Sequence, residues 1–331
     1  MPKRIIFPNK GEVVLAHFEL PSLGPKDVRI RTKYSLMSIG TELTILNQRY
    51  DPNTHFAKRF TFPQLKTGIQ AVGKVEEIGT EVNNYKVGDH VFMRMAHGSH
   101  QVIPASECTI IPGTVNLKEA CWCGLAKTAF RAAWAGKFET LEQVLIIGAG
   151  PVGQMTVRWA KAFSTNSILV NDVSAFRLEL ATDGGATNIF SGEIESQVAC
   201  ITKNNRLKES QVVVDTTGNP EVLKHALSIA PMFGKIVILG DTGYPSQQCL
   251  NSDFMSKGLS LQAVHDSHDL DGWDQKAIDQ KFFSLLTNCD FNLSGLITHE
   301  FSPEECLSAY RVAQDYKENV MGILYDWSTL D

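Results

Sequence analysis

One six-residue stretch restricts the fold more than any other part of the chain. Gly148-Ala149-Gly150-Pro151-Val152-Gly153 directly follows the apolar run Val144-Leu145-Ile146-Ile147 and directly precedes a helical pattern. In that setting the glycines provide a tight turn, close approach of the backbone to a pyrophosphate, and close packing of helix on strand. The helix opens with unpaired N–H groups and the positive end of its dipole, which favours an anion there. Such a turn belongs at the carboxyl edge of a doubly wound parallel sheet with helices on both faces. Val144 to Ile147, Ile168 to Val170, Val212 to Val214 and Ile236 to Leu239 are continuous apolar runs, as strands covered on both faces require. Val152, Met155, Thr156, Trp159, Ala160 and Phe163 recur at helical spacing and predict one helix face turned to that sheet.

Nineteen residues beyond Gly153, Asp172 ends the second of these strands. A carboxylate there accepts hydrogen bonds from both adenosine ribose hydroxyls and repels a 2′-phosphate, so the sequence predicts NAD(H) over NADP(H), with Arg177 beside the ribose. Asp215-Thr216-Thr217-Gly218 and Gly240-Asp241-Thr242 end two further strands and are expected to reach the same ligand. The predicted cofactor contacts are thus Gly148, Gly150, Pro151, Val152, Gly153, Asp172, Arg177, Thr216, Thr217 and Gly240.

The first 116 residues have a different texture. Arg4 to Phe7, Val13 to Ala16, Val28 to Tyr34, Val72 to Ile78 and His90 to Met93 read as short strands broken by turns, which predicts a small twisted β-barrel. From residue 117 an Ala- and Leu-rich helical stretch leads into the β/α alternation. The 331 residues fit two domains. We expect a β-rich unit over 1–116, a nucleotide-binding unit over 117–268, and a return to the first unit over 269–331. In the last stretch Ser302, Pro303 and Glu305 form a capping-box pattern.

With 31 basic and 36 acidic side chains the formal charge is −5, with no basic stripe to neutralise phosphates, so nucleic acid is not an expected partner. No apolar run is long enough to cross a bilayer and the first residues lack a secretory pattern, so no membrane association and a cytoplasmic location are expected. Seven scattered cysteines without a CxxC fit reduced thiols.

The β-rich start, the GAGPVG turn and the return segment GLITHEFSPEECLSAY together resemble the medium-chain dehydrogenase/reductase superfamily of zinc-type alcohol dehydrogenases. The resemblance implies an α/β protein, with a GroES-like β-barrel catalytic domain joined to a doubly wound Rossmann domain and a cofactor cleft between them. It also implies a homodimer formed through an edge strand near Leu259 to His265. In zinc-bearing members a Cys-Gly-Thr-Asp-like segment, a Gly-His-Glu segment and a Cys or Glu on the helix entering the Rossmann domain meet the metal. Here the matching stretches read Ile39-Gly40-Thr41-Glu42 and Gly68-Ile69-Gln70, with Cys123 at the third position. Isoleucine has no lone pair, so no metal is expected. YSLMSIGTEL, GIQAVGKV and MGILYDW look most like a metal-free branch that includes bacteriochlorophyllide a dehydrogenase.

The expected function is a zinc-independent, NAD-dependent hydride transfer to or from a secondary alcohol or ketone. The alternatives are a quinone or enoyl reductase of the same superfamily and a catalytically inactive dinucleotide-binding protein. Four residues are candidates for the role of the missing metal. Thr41 matches the proton-relaying hydroxyl of zinc-bearing relatives. Glu42 is a base or, more in keeping with its type, a structural partner to an arginine. Lys127 lies one helical turn after Cys123, as a desolvated cation or a solvated helix lysine. His97 is a general base, half of a metal pair with His100, or a surface-loop residue. The stretch Asn47 to Gln64, with Tyr50, Phe56, Phe60 and Phe62, is an apolar lid or surface packing.

Overall fold

The computed structural model describes residues 1–204 and 212–330. A six-stranded, wholly parallel sheet runs in the order Asn188–Ser191, Ser167–Asp172, Gln143–Ile147, Val212–Asp215, Lys235–Ile238, Ser260–Ala263. The apolar runs predicted as strands are its four inner members, each within two residues of its predicted ends. The two edges escaped the apolar-run criterion because their residues are half exposed, with the patterns eeBe and eiie. Ser260–Ala263 is one of those edges and lies inside the segment expected to pair between subunits.

The helix after the glycine turn, Pro151–Ala162, is buried on more than the predicted face. Gln154, Val157 and Arg158 are buried along with Met155, Thr156, Trp159 and Ala160. Part of the predicted face meets the helix Cys123–Gly136 instead of the sheet: Trp159 donates its indole N–H to the Ala126 carbonyl at 2.7 Å, and Trp159 and Phe163 both pack on Phe130.

The second sheet has seven strands. Its path runs Ile297–Phe301, Gly322–Asp326, Asp27–Leu36, Ala71–Ile78, His90–Met93, Cys108–Ile110, with His100–Pro104 paired to Asp27–Leu36 off that path. Gly322–Asp326 pairs antiparallel with Tyr34 to Leu36, so the end of the chain is an interior strand of a sheet begun by residue 27. Lys3–Phe7, Val14–His17 and Leu65–Lys66 make a small third sheet. The capping box forms as read: Ser302 and Glu305 close it around Pro303–Glu305, and the helix Cys306–Asp315 follows.

Candidate active-site cleft

The glycine turn has the strained geometry its residues allow. Gly148 adopts φ of 93°, open to glycine at no steric penalty, and a Cβ there would stand 2.6 Å from Thr216 Oγ1. A Cβ on Gly153 would overlap the Gly148 carbonyl. Gly150, the N-cap of Pro151–Ala162, offers no side-chain acceptor, which leaves the first N–H groups of the helix to an outside anion.

Asp172 stabilises this turn from the next strand. Its Oδ2 accepts the Ala149 N–H at 2.6 Å and its Oδ1 accepts the Ser174 N–H at 2.8 Å. A carboxylate has about four lone-pair sites, so two remain for hydroxyl donors. The turn and Asp172 line a cleft of about 300 Å³, together with Arg177, Thr216 and Thr217. Arg177 donates to the Lys317 carbonyl from the segment after the helix Cys306–Asp315. Nine of the ten predicted cofactor residues line this cleft. Gly240 does not; it packs behind, where a Cβ would overlap the Gly218 N–H. The shape and donors fit a dinucleotide at the pyrophosphate and adenosine end.

The opposite wall is Ser38, Ile39, Gly40, Thr41 and Leu125. Thr41 thus reaches the cleft. Glu42 follows it on the helix Ile39–Leu46, about 100° further round, and turns inward. It does not meet an arginine, as its type suggested. Glu42 Oε1 accepts the Ser38 N–H at 2.7 Å, and Oε2 takes Thr67 Oγ1 at 2.7 Å, His97 Nε2 at 3.2 Å and the Tyr310 hydroxyl. Burial would raise the Glu42 carboxyl, but the charge of His97 and the hydrogen bonds from His97, Tyr310 and Thr67 outweigh it and hold the group below its ordinary value. Burial and the adjoining carboxylate push Tyr310 well up. The network ties Ser38, at the foot of the cleft wall, to the return segment.

His97 is therefore no surface-loop residue. It is fully buried, with Nδ1 2.8 Å from Ser35 Oγ, which also accepts the Trp327 indole N–H at 2.8 Å. Nor does it pair with His100, whose ring contacts Ser99 and Glu76.

Lys127 and Cys123 also move from their expected places. Residues two apart on a helix point about 200° apart, and here it is Leu125 that faces the cleft. Cys123 and Lys127 share the other face, against the helix Gln275–Thr287. There Asp279 accepts the Cys123 thiol at 3.3 Å, Lys127 Nζ at 3.4 Å and Thr109 Oγ1 at 2.9 Å. Lys127 is buried and paired rather than poised at the cofactor. Burial and the Asp279 charge push the Cys123 thiol well above its ordinary value, the reverse of what a metal thiolate needs. With hydrocarbon at Ile39 and Cys123 turned away, the residues present do not fit a zinc ion at the family position.

The Asn47 to Gln64 stretch packs on the protein. Phe56 is buried and stacks on Tyr50 at 5.7 Å, with Phe60 and Phe62 packed beside them on the core of the N-terminal unit. Its short helix His55–Arg59 brings His55 to Asp241, a contact no local pattern reveals because 186 residues separate the two. A larger concavity of about 560 Å³, lined by Phe130, Trp134, Phe138, Phe163 and Trp273, shares no residue with the cleft.

The family models agree with this architecture. Residues 24–149 match the alcohol dehydrogenase GroES-like domain and residues 151–278 match the zinc-binding dehydrogenase domain. The chain belongs to the medium-chain dehydrogenase/reductase superfamily. It is 24% identical to an L-threonine 3-dehydrogenase of Xanthomonas euvesicatoria over 93% of this chain and 95% of that one. It is 26% identical to a sorbitol dehydrogenase of Arabidopsis thaliana over 86% of this chain and 84% of that one. An alcohol dehydrogenase from Thermus sp. ATN1 shares the fold with a TM-score of 0.79, 20% identity and coverage of 98% and 99%. So does an Escherichia coli dehydrogenase complexed with NADH, with a TM-score of 0.83, 18% identity and 98% and 99% coverage. This superfamily member is an oxidoreductase with a dinucleotide cleft.

Proposed function

We propose that this oxidoreductase uses NAD(H) to interconvert a secondary alcohol and its ketone, without zinc at the family's catalytic position. The observation that carries the reading is the cleft itself: an intact phosphate turn braced by Asp172 faces Thr41 across a wall of Ile39 and Leu125. Asp172 favours ribose hydroxyls over a 2′-phosphate by charge. When bound, the nicotinamide supplies the hydride acceptor or donor.

The protein's own part is to hold the carbinol, exclude water and manage the hydroxyl proton. Ile39 and Leu125 supply the apolar surface. Thr41 Oγ1 hydrogen-bonds the substrate oxygen. Glu42 acts through Ser38 as a positioning residue for that wall. Isoleucines at 39 and 69, which have no lone pair, and a Cys123 thiol turned onto Asp279 support the absence of zinc. The edge strand Ser260–Ala263 supports a homodimer, and the divisions after residues 116 and 268 mark the units we assign. A cytoplasmic setting suits the reduced thiols.

The test is twofold: titration with NADH and NADPH, then turnover of a panel of secondary alcohols by protein stripped of metal and assayed for it. Tighter NADH binding and turnover without stoichiometric zinc is the expected result. Reduction of a conjugated enone but of no simple ketone would favour the enoyl reductase alternative. Cofactor binding with no turnover in either direction would favour the inactive one.

A further inference from the structure

Asp172 and the glycine turn occupy the carboxyl ends of strands in one half of the parallel sheet. In the other half, Lys235–Ile238 and Ser260–Ala263 end on the same edge. Asp241 follows the first of these strands and His265 the second, and His55 faces Asp241 from the other domain. His55 Nε2 is 3.0 Å and His265 Nε2 3.6 Å from the same Asp241 oxygen. One ligand atom from each of the three residues lies within 4.8 Å of the others. Ligands held at about 2.0–2.1 Å around a tetrahedral ion stand about 3.3–3.4 Å apart, between the two measured separations.

We propose that His55, Asp241 and His265 form a binding site for a borderline divalent transition-metal ion of the zinc, cobalt or nickel type, bridging the two domains. Two imidazoles and one carboxylate suit that class of ion, and three protein ligands leave a further position open. The exposure of the three side chains, 51%, 36% and 37%, keeps that position accessible to water.

Both sides of the site are held in place before any ion arrives. Asp51 donates its N–H to the Gly243 carbonyl at 2.7 Å, and Ser246 donates its N–H to Asp51 Oδ2 at 3.1 Å, so the segment bearing His55 is docked on the loop after Asp241. On the other side Asp266, next to His265, is anchored by Arg94 and Arg131. Ser267 Oγ lies 2.7 Å from His265 Nδ1, placed to accept its hydrogen when Nε2 binds the ion, as metal-bound histidines require. The Ser267 N–H, 3.2 Å from the same nitrogen, is released in that tautomer. The site is separate from Ile39, Ile69 and Cys123 and does not rest on the hydride reading.

The experiment uses the full chain, freed of metal with chelator, in equilibrium dialysis against nickel or cobalt, with the cobalt absorption spectrum recorded. One ion per chain is expected. His55→Ala and His265→Ala are each expected to weaken binding by at least the roughly 10–100-fold that loss of a mere outer partner costs, while His17→Ala, on an exposed end of the strand Val14–His17 away from the cluster, leaves it unchanged. The exposed ligands make these variants safe for folding, and their melting in chelator should match the parent. Absence of saturable binding, or equal binding by the His55→Ala/His265→Ala double variant, overturns the site and reduces the cluster to an ion pair. Neither result touches the dehydrogenase reading, which fails on loss of dinucleotide binding.

Discussion

Replacing Lys127 by methionine separates a structural lysine from a catalytic one. Lys127 and Asp279 are 2% and 6% exposed, so water does little to screen their charges. Lys127 Nζ also donates to Gln275 Oε1 at 3.3 Å and stands 5.7 Å from the centre of the Phe92 ring. Lys127→Met keeps most of the volume and leaves Asp279 buried and uncompensated, which costs about 3–5 kcal/mol. At about 2 °C per kcal/mol, the lower end for large chains, melting should fall by roughly 6–10 °C. Removing the orphaned charge as well, in Lys127→Met/Asp279→Asn, should restore most of that loss, because replacing both members of a buried pair is often close to neutral. Calorimetric melting of the parent and both variants, with turnover measured well below the transition, tests this. Turnover should stay within about twofold, since Leu125 and not Lys127 faces the cleft. A Lys127→Met protein that melts like the parent but turns over tenfold slower or worse would refute the assignment. A double variant as unstable as the single would refute the charge argument.

Gly153→Ala drives a methyl into the Gly148 backbone carbonyl and should weaken dinucleotide binding by at least about 100-fold, read by fluorescence titration, while also lowering melting by several degrees, because the overpacked turn must shift at about 1–3 kcal/mol. Asp172→Ala should raise the KM for NAD by about tenfold or more and narrow the preference over NADP, while releasing the Ala149 N–H; an unchanged KM ratio removes Asp172 from that role. Glu42→Gln should cost about 2–3 kcal/mol at neutral pH by weakening its hydrogen bonds to a charged acceptor. Because the folded carboxyl titrates below its ordinary value of 4.5, that advantage is complete above 4.5 and disappears as pH falls through the folded value. Denaturant melts of parent and variant from pH 7 to pH 3 should therefore converge at the acid end.

What the sequence disclosed followed from periodicity and local chemistry. The four inner strands, the phosphate turn and the capping box are local patterns whose spacing has one good structural solution. Residues placed on a helix by counting fared unevenly. Cys123 and Lys127 do share a face, but counting could not say which face meets the cleft, and the cleft took Leu125. Glu42 and His97 were read by residue type, as a base or a partner to an arginine and as a base, half of a metal pair or a surface-loop residue, because their partners lie at Thr67, Tyr310 and Ser35, far along the chain. His55 and Asp241 meet only because two domains face each other, and no window along the chain spans that encounter. The half-exposed edge strands show the complementary limit, since a strand that shows one side to water lacks the unbroken apolar signature of its neighbours.

The strand Gly322–Asp326 has a temporal consequence as well as a spatial one. It is laid between two others in a sheet that residues 27–36 begin, and Tyr310 and Trp327 reach back to Glu42 and Ser35. During synthesis the N-terminal unit therefore waits, with a carboxylate and an imidazole meant for its interior still open to water, until roughly three hundred later residues have left the ribosome. The nucleotide-binding sheet, whose strands all lie between residues 143 and 263, has no such dependence and is free to close first. A nascent chain stalled before residue 322 should thus hold a protease-resistant centre with a labile beginning.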